Sequence, residues 1–171
     1  MKRLLLYVHF NKYDHISRHV FYQLEHMRPL FDKLVFISNS RLSESEVQKL
    51  RDKHLIDDFI QRENKGYDFA AWHDGMEFVG FDNLKQYDSV TVMNDTCFGP
   101  LWDMAPIYDK YESNPNVDFW GMTNHQGIKA GDIYIHEHLQ SYFISFKKRL
   151  VESSVFQKFW KSVCLLLSIG S

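Results

Sequence analysis

Asn94, Asp95 and Thr96 stand directly behind the β-forming run Val90-Thr91-Val92-Met93, and Gly99-Pro100 breaks the chain soon after. An amide, a carboxylate and a hydroxyl at a strand end can do two kinds of work. The Asp95 carboxylate can hold Mg²⁺ or Mn²⁺ against a diphosphate and neutralise a departing phosphate, with Asn94 and Thr96 orienting it or touching a sugar. Alternatively, Asp95 bonds its own backbone in an Asx-turn. The stretch alone leaves both open. A second polar block, Glu63-Asn64-Lys65-Gly66-Tyr67-Asp68, precedes Phe69, Trp72 and Met76 at helical spacing. Gly66 permits a positive φ or close ligand approach, Lys65 supplies a cation, and the free amides of a helix start can hold a diphosphate. The plainer reading is a strand-to-helix turn with Asp68 as N-cap. Chemistry alone favours it, because the block is neither a Walker loop nor GxGxxG.

The elements that must position these blocks alternate. Leu4–Phe10 reads as a strand apolar on both faces. Ile16, Val20, Leu24, Met27 and Phe31 recur at helical spacing, Leu34–Ser38 is a second strand, and Ser43 with Glu46 forms a capping-box pattern for a second helix. Asp58–Gln61 is a third strand, a helix follows Gly66, and the strand ending at Met93 is the fourth. A helix over Trp102–Tyr111, strands over Val117–Met122 and Leu139–Phe146, and a closing helix through Val155, Phe156, Phe159, Trp160 and Val163 complete the series. This order predicts one three-layer α/β domain over residues 1–171 with a mostly parallel sheet. In such sheets ligands bind beyond the carboxyl ends of the strands. His9 and Asn11 flank the first of those ends, Asn39 closes the second, and the two polar blocks follow the third and fourth. Thr123–His138 is polar, Gly-containing and without clear periodicity, as expected of a substrate lid.

Composition removes several function classes. A formal charge of −2 gives no basic field for nucleic acid. Two cysteines, Cys97 and Cys164, stand far apart and make no disulfide framework, which fits a reducing compartment. The apolar run after Met1-Lys2-Arg3 is too short for a signal peptide and reads as the first strand. The tail Val163-Cys164-Leu165-Leu166-Leu167 falls well below membrane-spanning length. Nine histidines include His136 and His138 on one face of any strand, with Glu137 opposite, but no HExxH pattern exists, so surface or core histidines are expected. Trp120, Phe119, Tyr142 and Phe143 read as core first and sugar-stacking platforms second.

The blocks LVFISNS, ENKGYDFAAWHDG, VMNDTCFGPL, VDFWGMTNH and HLQSYFISFKK, in this order, resemble the rhamnan synthesis protein F family. That family comprises glycosyltransferases or glycosyltransferase-like proteins of bacterial polysaccharide assembly. The resemblance runs from about Arg3 to Trp160 and is most specific in ENKGYDF and NDTCFGP. It extends to GT-A glycosyltransferases generally, which implies a Rossmann-like, GT-A-like α/β/α fold. Their fourth strand often ends in DxD; here Met93-Asn94-Asp95 keeps only the last acid, which implies that Asp95 touches the metal.

The resemblance further implies that His9 and Asn39 lie near base or ribose and that Glu63, Asn64, Gly66 and Asp68 line a nucleotide-sugar pocket with Asn94 and Asp95. It implies transfer of L-rhamnose from dTDP-rhamnose to a lipid-linked glycan, at the cytoplasmic side of the plasma membrane. An inverting transfer needs a general base; Asp132, Glu137, His136 and His138 are candidates. The alternative is a non-catalytic nucleotide- or carbohydrate-binding module. Family members are usually longer, so acceptor-binding elements are expected beyond this chain.

Overall fold

The computed structural model describes residues 1–168, with side chains as far as Val163; Cys164 and the apolar tail therefore lie outside the described side chains. Its centre is a six-stranded sheet in the order β3-β2-β1-β4-β10-β5. Strands β1 (Arg3–His9), β2 (Lys33–Ser38), β3 (Asp58–Gln61) and β4 (Ser89–Asn94) run parallel. Strand β10 (Phe143–Lys147) lies antiparallel to β4 and to β5 (Phe119–Gly121). The sheet is thus mixed and mostly parallel. The antiparallel edge arises because the chain returns from β5 without a crossover helix.

Alternation along each strand sorts side chains into two apolar clusters. Leu5, Tyr7, Leu34, Phe36, Met93 and Phe143 meet α1 (Arg18–Met27), α2 (Glu44–Asp52) and Tyr108 of α4 (Ala105–Glu112). Leu4, Leu6, Val8, Val35, Ile37 and Val92 meet α3 (Tyr67–Val79) and α6 (Ser154–Ser168), the latter preceded by the short α5 (Lys148–Val151). Burial on both faces is why these strands read as continuous apolar runs. Helix α3 approaches the sheet closely: a Cβ on Gly75 would stand 2.5 Å from Ile37 Cδ1. Ser43 caps α2 by accepting from the Glu46 amide at 3.3 Å, but the Glu46 carboxylate does not complete the box. It accepts from the Ile16 amide at 2.8 Å and so anchors the approach to α1.

Thr123–His138 is more regular than its composition predicts. β6 (Asn124–His125) pairs with β9 (His138–Leu139), and β7 (Ile128–Ala130) pairs with β8 (Ile133–Ile135) around Gly131 at φ 61°. Ile128, Ala130, Ile133 and Ile135 alternate about a Gly-Asp turn, a hairpin signal too short to register as periodicity. Among the described residues no helix is long and apolar enough to cross a membrane.

At the amino-terminal edge of the sheet, Arg3 and Ser89 pair with Glu112. Arg3 Nε donates to both Glu112 oxygens at 3.0 Å and Nη2 to one of them at 2.5 Å, while Ser89 Oγ donates to the same carboxylate at 2.8 Å. The Glu112 side chain is 1% exposed, so removing its cation strands a buried charge. Arg3→Leu is expected to cost about 3–5 kcal/mol in urea unfolding, and the double change Arg3→Leu with Glu112→Leu distinctly less.

Candidate functional site

The carboxyl edge of the parallel strands has a geometric focus. After β1 the chain crosses by α1 to β2 and by α2 to β3, then returns by α3 to place β4 on the other side of β1. Helices α1 and α3 lie with opposite apolar clusters, so the carboxyl ends of β1 and β4 flank the point where strand order reverses. Open α/β sheets bind ligands in that crevice. His9 ends β1 there, and Asn94 with Asp95 ends β4.

Asp95 makes no Asx-turn. Its Oδ2 accepts from the Phe10 amide at 3.1 Å, joining the two strand ends. The Asx-turn belongs to Asn94, whose Oδ1 accepts from the Thr96 amide at 3.1 Å and the Thr96 hydroxyl at 2.6 Å. His19 of α1 holds the Asp95 carbonyl oxygen through Nε2 at 2.9 Å. His9 is fully buried, with Nδ1 3.1 Å from Ser38 Oγ and with Nε2, 4.0 Å from Asp95 Oδ2, lacking any hydrogen-bond partner. Burial pushes the His9 imidazole down to about 4 and the Asp95 carboxyl up to about 6, the latter against the pull of the Phe10 amide. At neutral pH His9 is therefore uncharged, and its approach to Asp95 is not an ion pair.

Asp68 is not the N-cap of α3. Gly66 occupies that position in the left-handed region at φ 70°, without a side-chain cap. A lone helix turn would have used the nearest carboxylate, but Asp68 instead accepts from Asn94 Nδ2 at 2.7 Å, tying the β3–α3 loop to the end of β4. Tyr67 follows with φ 50° and a ring 75% exposed. A bulky residue in that backbone region is strained, and such residues concentrate at ligand clamps.

The loop is organised by Arg62, which its sequence position beside Glu63 does not advertise. Its Nε meets Asp74 at 2.6 Å, Nη1 meets Asn39 Oδ1 at 2.6 Å, and Nη2 meets the Lys65 carbonyl at 2.9 Å. A cation closing a strand just before a polar loop is the signal that could have found it. Asn39, Arg41, Gln61, Arg62, Asn64 and Lys65 line an open polar hollow of about 770 Å³ beyond β2 and β3. Lys65 and Glu63 pair with each other at 2.5 Å, both exposed. The edge therefore gathers His9, Asn39, Glu63, Asn64, Gly66, Asp68, Asn94 and Asp95.

Asp132, Glu137, His136 and His138 are all exposed on the excursion between β5 and β10. Asp132 sits at the β7–β8 turn, Glu137 accepts from Asn124 Nδ2, and His138 stacks on His125 at 4.9 Å. Among the described residues none of the four touches Asp95 or His9. A different trio, His73, Asp74 and Glu77, brings possible metal-ligating atoms within 4.8 Å of one another, with Asp74 already on Arg62.

The sequence profile described as rhamnan synthesis protein F matches residues 34–169. The chain belongs to this family. It is 30% identical over 145 residues to the y4gN protein of Sinorhizobium fredii, covering 84% of this chain and 36% of that one. Over 130 residues it is 30% identical to Virulence protein VirA of Vibrio anguillarum, covering 75% and 37% respectively. The chain thus spans little more than a third of these relatives. HddC from Yersinia pseudotuberculosis shares the fold over 89% of this chain and 79% of its own, with a TM-score of 0.52 at 10% identity.

The two shifted groups have opposite effects on stability. Asp95, at about 6 when folded against 3.8 unfolded, keeps a proton that the unfolded chain releases, so its contribution to stability falls as pH rises through that window. His9, at about 4 against 6.5, is protonated first in the unfolded chain, so its contribution is lost as pH falls through 6.5 towards 4. Asp95→Asn removes only the first effect. In buffer with EDTA, urea unfolding should show the variant gaining on the wild type by on the order of 2–3 kcal/mol between pH 4 and pH 7. A constant difference would mean a solvated carboxylate.

Proposed function

We propose that this chain is the donor-binding part of a glycosyltransferase of bacterial cell-surface polysaccharide synthesis, with L-rhamnose carried by dTDP as donor and a lipid-linked glycan as acceptor. The observation that carries the reading is the knot at the strand-order reversal: His9, Asp95, Asn94 and Asp68 converge from three separate segments beside a polar hollow of nucleotide-sugar size. Family membership supports the polysaccharide setting. The helices over both sheet faces fit a three-layer, GT-A-like arrangement of one domain, working at the cytoplasmic face of the membrane.

In this reading the nucleotide lies across Asn39 and the Glu63–Gly66 loop, with the Tyr67 ring available to cover it. Arg62 holds Asn39 and the loop in register. The diphosphate points toward Asp95. The donor types present suit a divalent cation: the Asp95 carboxylate and, 4.0 Å from its Oδ2, the His9 imidazole nitrogen. Asp95 would hold Mg²⁺ or Mn²⁺, which when bound neutralises the charge of the leaving dTDP. The Asn94–Asp68 bond fixes the carboxylate's strand end. The base that takes the acceptor proton comes from the 123–138 excursion, where Asp132, Glu137, His136 and His138 stand.

Calorimetric titration of dTDP-rhamnose with Mn²⁺ present tests the reading. Micromolar to submillimolar binding is expected, at least tenfold weaker for Asp95→Asn and for Arg62→Ala, with only the Asp95 variant losing the Mn²⁺ dependence. Absence of binding by any dTDP-, UDP- or GDP-sugar at millimolar concentration to folded protein sinks it. Donor binding without hydrolysis or transfer selects the non-catalytic binding module instead.

A further inference from the structure

Two residues past Asp95 the chain enters a feature that the donor reading does not use. Gln23 and Met27 of α1, Met93 of β4, the segment from Cys97 to Met104, and Met122 with Phe143 enclose a cavity of about 380 Å³. This volume falls within the range of ligand pockets, which run from roughly 300 to 1,000 Å³. It opens at the same carboxyl edge, and its mouth carries Phe98, Leu101 and Trp102, exposed by 78%, 78% and 65%.

The chemistry of the lining decides what can enter. Of its polar side chains, Gln23 is held at both ends: its Oε1 accepts from the Tyr7 hydroxyl at 2.5 Å and its Nε2 donates to the Cys97 carbonyl at 2.6 Å. Thr123 Oγ1 donates to Gln140 Oε1 at 2.6 Å. What remains is the Tyr142 hydroxyl, the Cys97 thiol and the Trp102 indole N–H at the mouth. A sugar ring brings several hydroxyls, and each one buried without a partner costs roughly 1–3 kcal/mol. This lining cannot satisfy a sugar. A hydrocarbon chain asks for no hydrogen bonds. The thioethers of Met27, Met93, Met104 and Met122 supply an unbranched, adaptable wall suited to a flexible aliphatic guest.

We propose that this cavity receives the aliphatic chain of an amphiphile, seating the hydrocarbon behind the segment that follows Asp95 while the headgroup stays at the solvent edge. The inference rests on the donor reading only for its purpose; the binding itself needs no donor. It gives the lipid-linked acceptor a foothold on this chain and identifies the segment Cys97–Met104 as the part that grips it.

The test uses the methionines as reporters. The sequence has six, of which Met27, Met93, Met104 and Met122 line the cavity and Met1 and Met76 do not. Protein labelled with ¹³C at the methionine methyls is titrated with farnesyl phosphate and, in parallel, with n-decyl phosphate below their critical micelle concentrations. The four lining methyls should shift saturably while Met1 and Met76 stay fixed, and the tighter of the two probes shows whether the guest is prenyl or acyl in kind. Leu101→Glu, at the exposed mouth, should weaken the response at least fivefold with the Met76 signal unchanged. Inorganic phosphate should move none of the four. The proposal is overturned if neither amphiphile shifts the lining methyls, if all six shift together, or if methyl α-L-rhamnoside alone shifts the four. Because no nucleotide sugar is present, these outcomes leave the donor titration untouched, and failure of that titration leaves these signals interpretable.

Discussion

Strand β1 is hydrogen-bonded along both edges, to β2 and β4, and covered on both faces by different apolar clusters. Leu4 to His9 are 0% or 1% exposed. A strand so enclosed can show chemistry only where it stops, and everything distinctive in this molecule follows from that constraint. Asp95 takes hold of the Phe10 amide because β1 has run out of partners there. The reversal of strand order then separates α1 from α3 and leaves the ends of β1 and β4 facing a gap.

The same enclosure explains why the polar residues within the sheet are structural. Thr91 and Ser145 sit opposite one another on β4 and β10, bonded at 3.0 Å, and Thr91 Oγ1 lies 2.9 Å from the Tyr108 hydroxyl of α4. Burial raises the Tyr108 phenol far above its ordinary range, so it stays a neutral partner at any physiological pH. Arg3, Ser89 and Glu112 do the equivalent work at the opposite, amino-terminal edge. At the carboxyl edge His9 Nε2 has no such partner.

How legible this was in the sequence depends on how far apart the interacting residues lie. The strands β1 to β4 were readable because burial on two faces demands uninterrupted apolar runs, and Asp58–Gln61 and the strand ending at Asn94 emerge where expected. Helix starts were half readable. Ser43 caps α2 from three residues away, a local event, whereas Glu46 leaves its box to reach Ile16, thirty positions back. The polar blocks announced an edge but not its wiring. Asp68 looked like a cap because the nearest amides are its own helix's; its actual partner, Asn94, is 26 residues on. The partners of Arg62 were hidden for the same reason, since Asn39 and Asp74 meet it only after β2, β3 and α3 are assembled. Alternation did exist in Ile128–Ile135, yet three residues on each side of a turn give too little periodicity to weigh.

The unbalanced accounting at His9 and Asp95 is the strongest physical sign that this edge is for something. A carboxylate forced up to about 6 and an imidazole forced down to about 4 both register desolvation that their surroundings fail to offset. Trp120 Nε1 and His125 Nδ1 are also buried without a hydrogen-bond partner, but neither stands beside a second desolvated titratable group at a strand end. The deficit is also held in place: the Phe10 amide and the His19 contact fix Asp95, Ser38 fixes the His9 ring, and Asn94 is pinned through Asp68. A site that merely tolerated strain would relax by rotating one side chain toward solvent. Here each rotation would break a bond of 2.7–3.1 Å to another segment, so the deficit is held in place. Preorganisation of that kind lets a ligand bind without first ordering its own receptor, and among the described residues it distinguishes the reversal point from the exposed carboxylates of the 123–138 excursion.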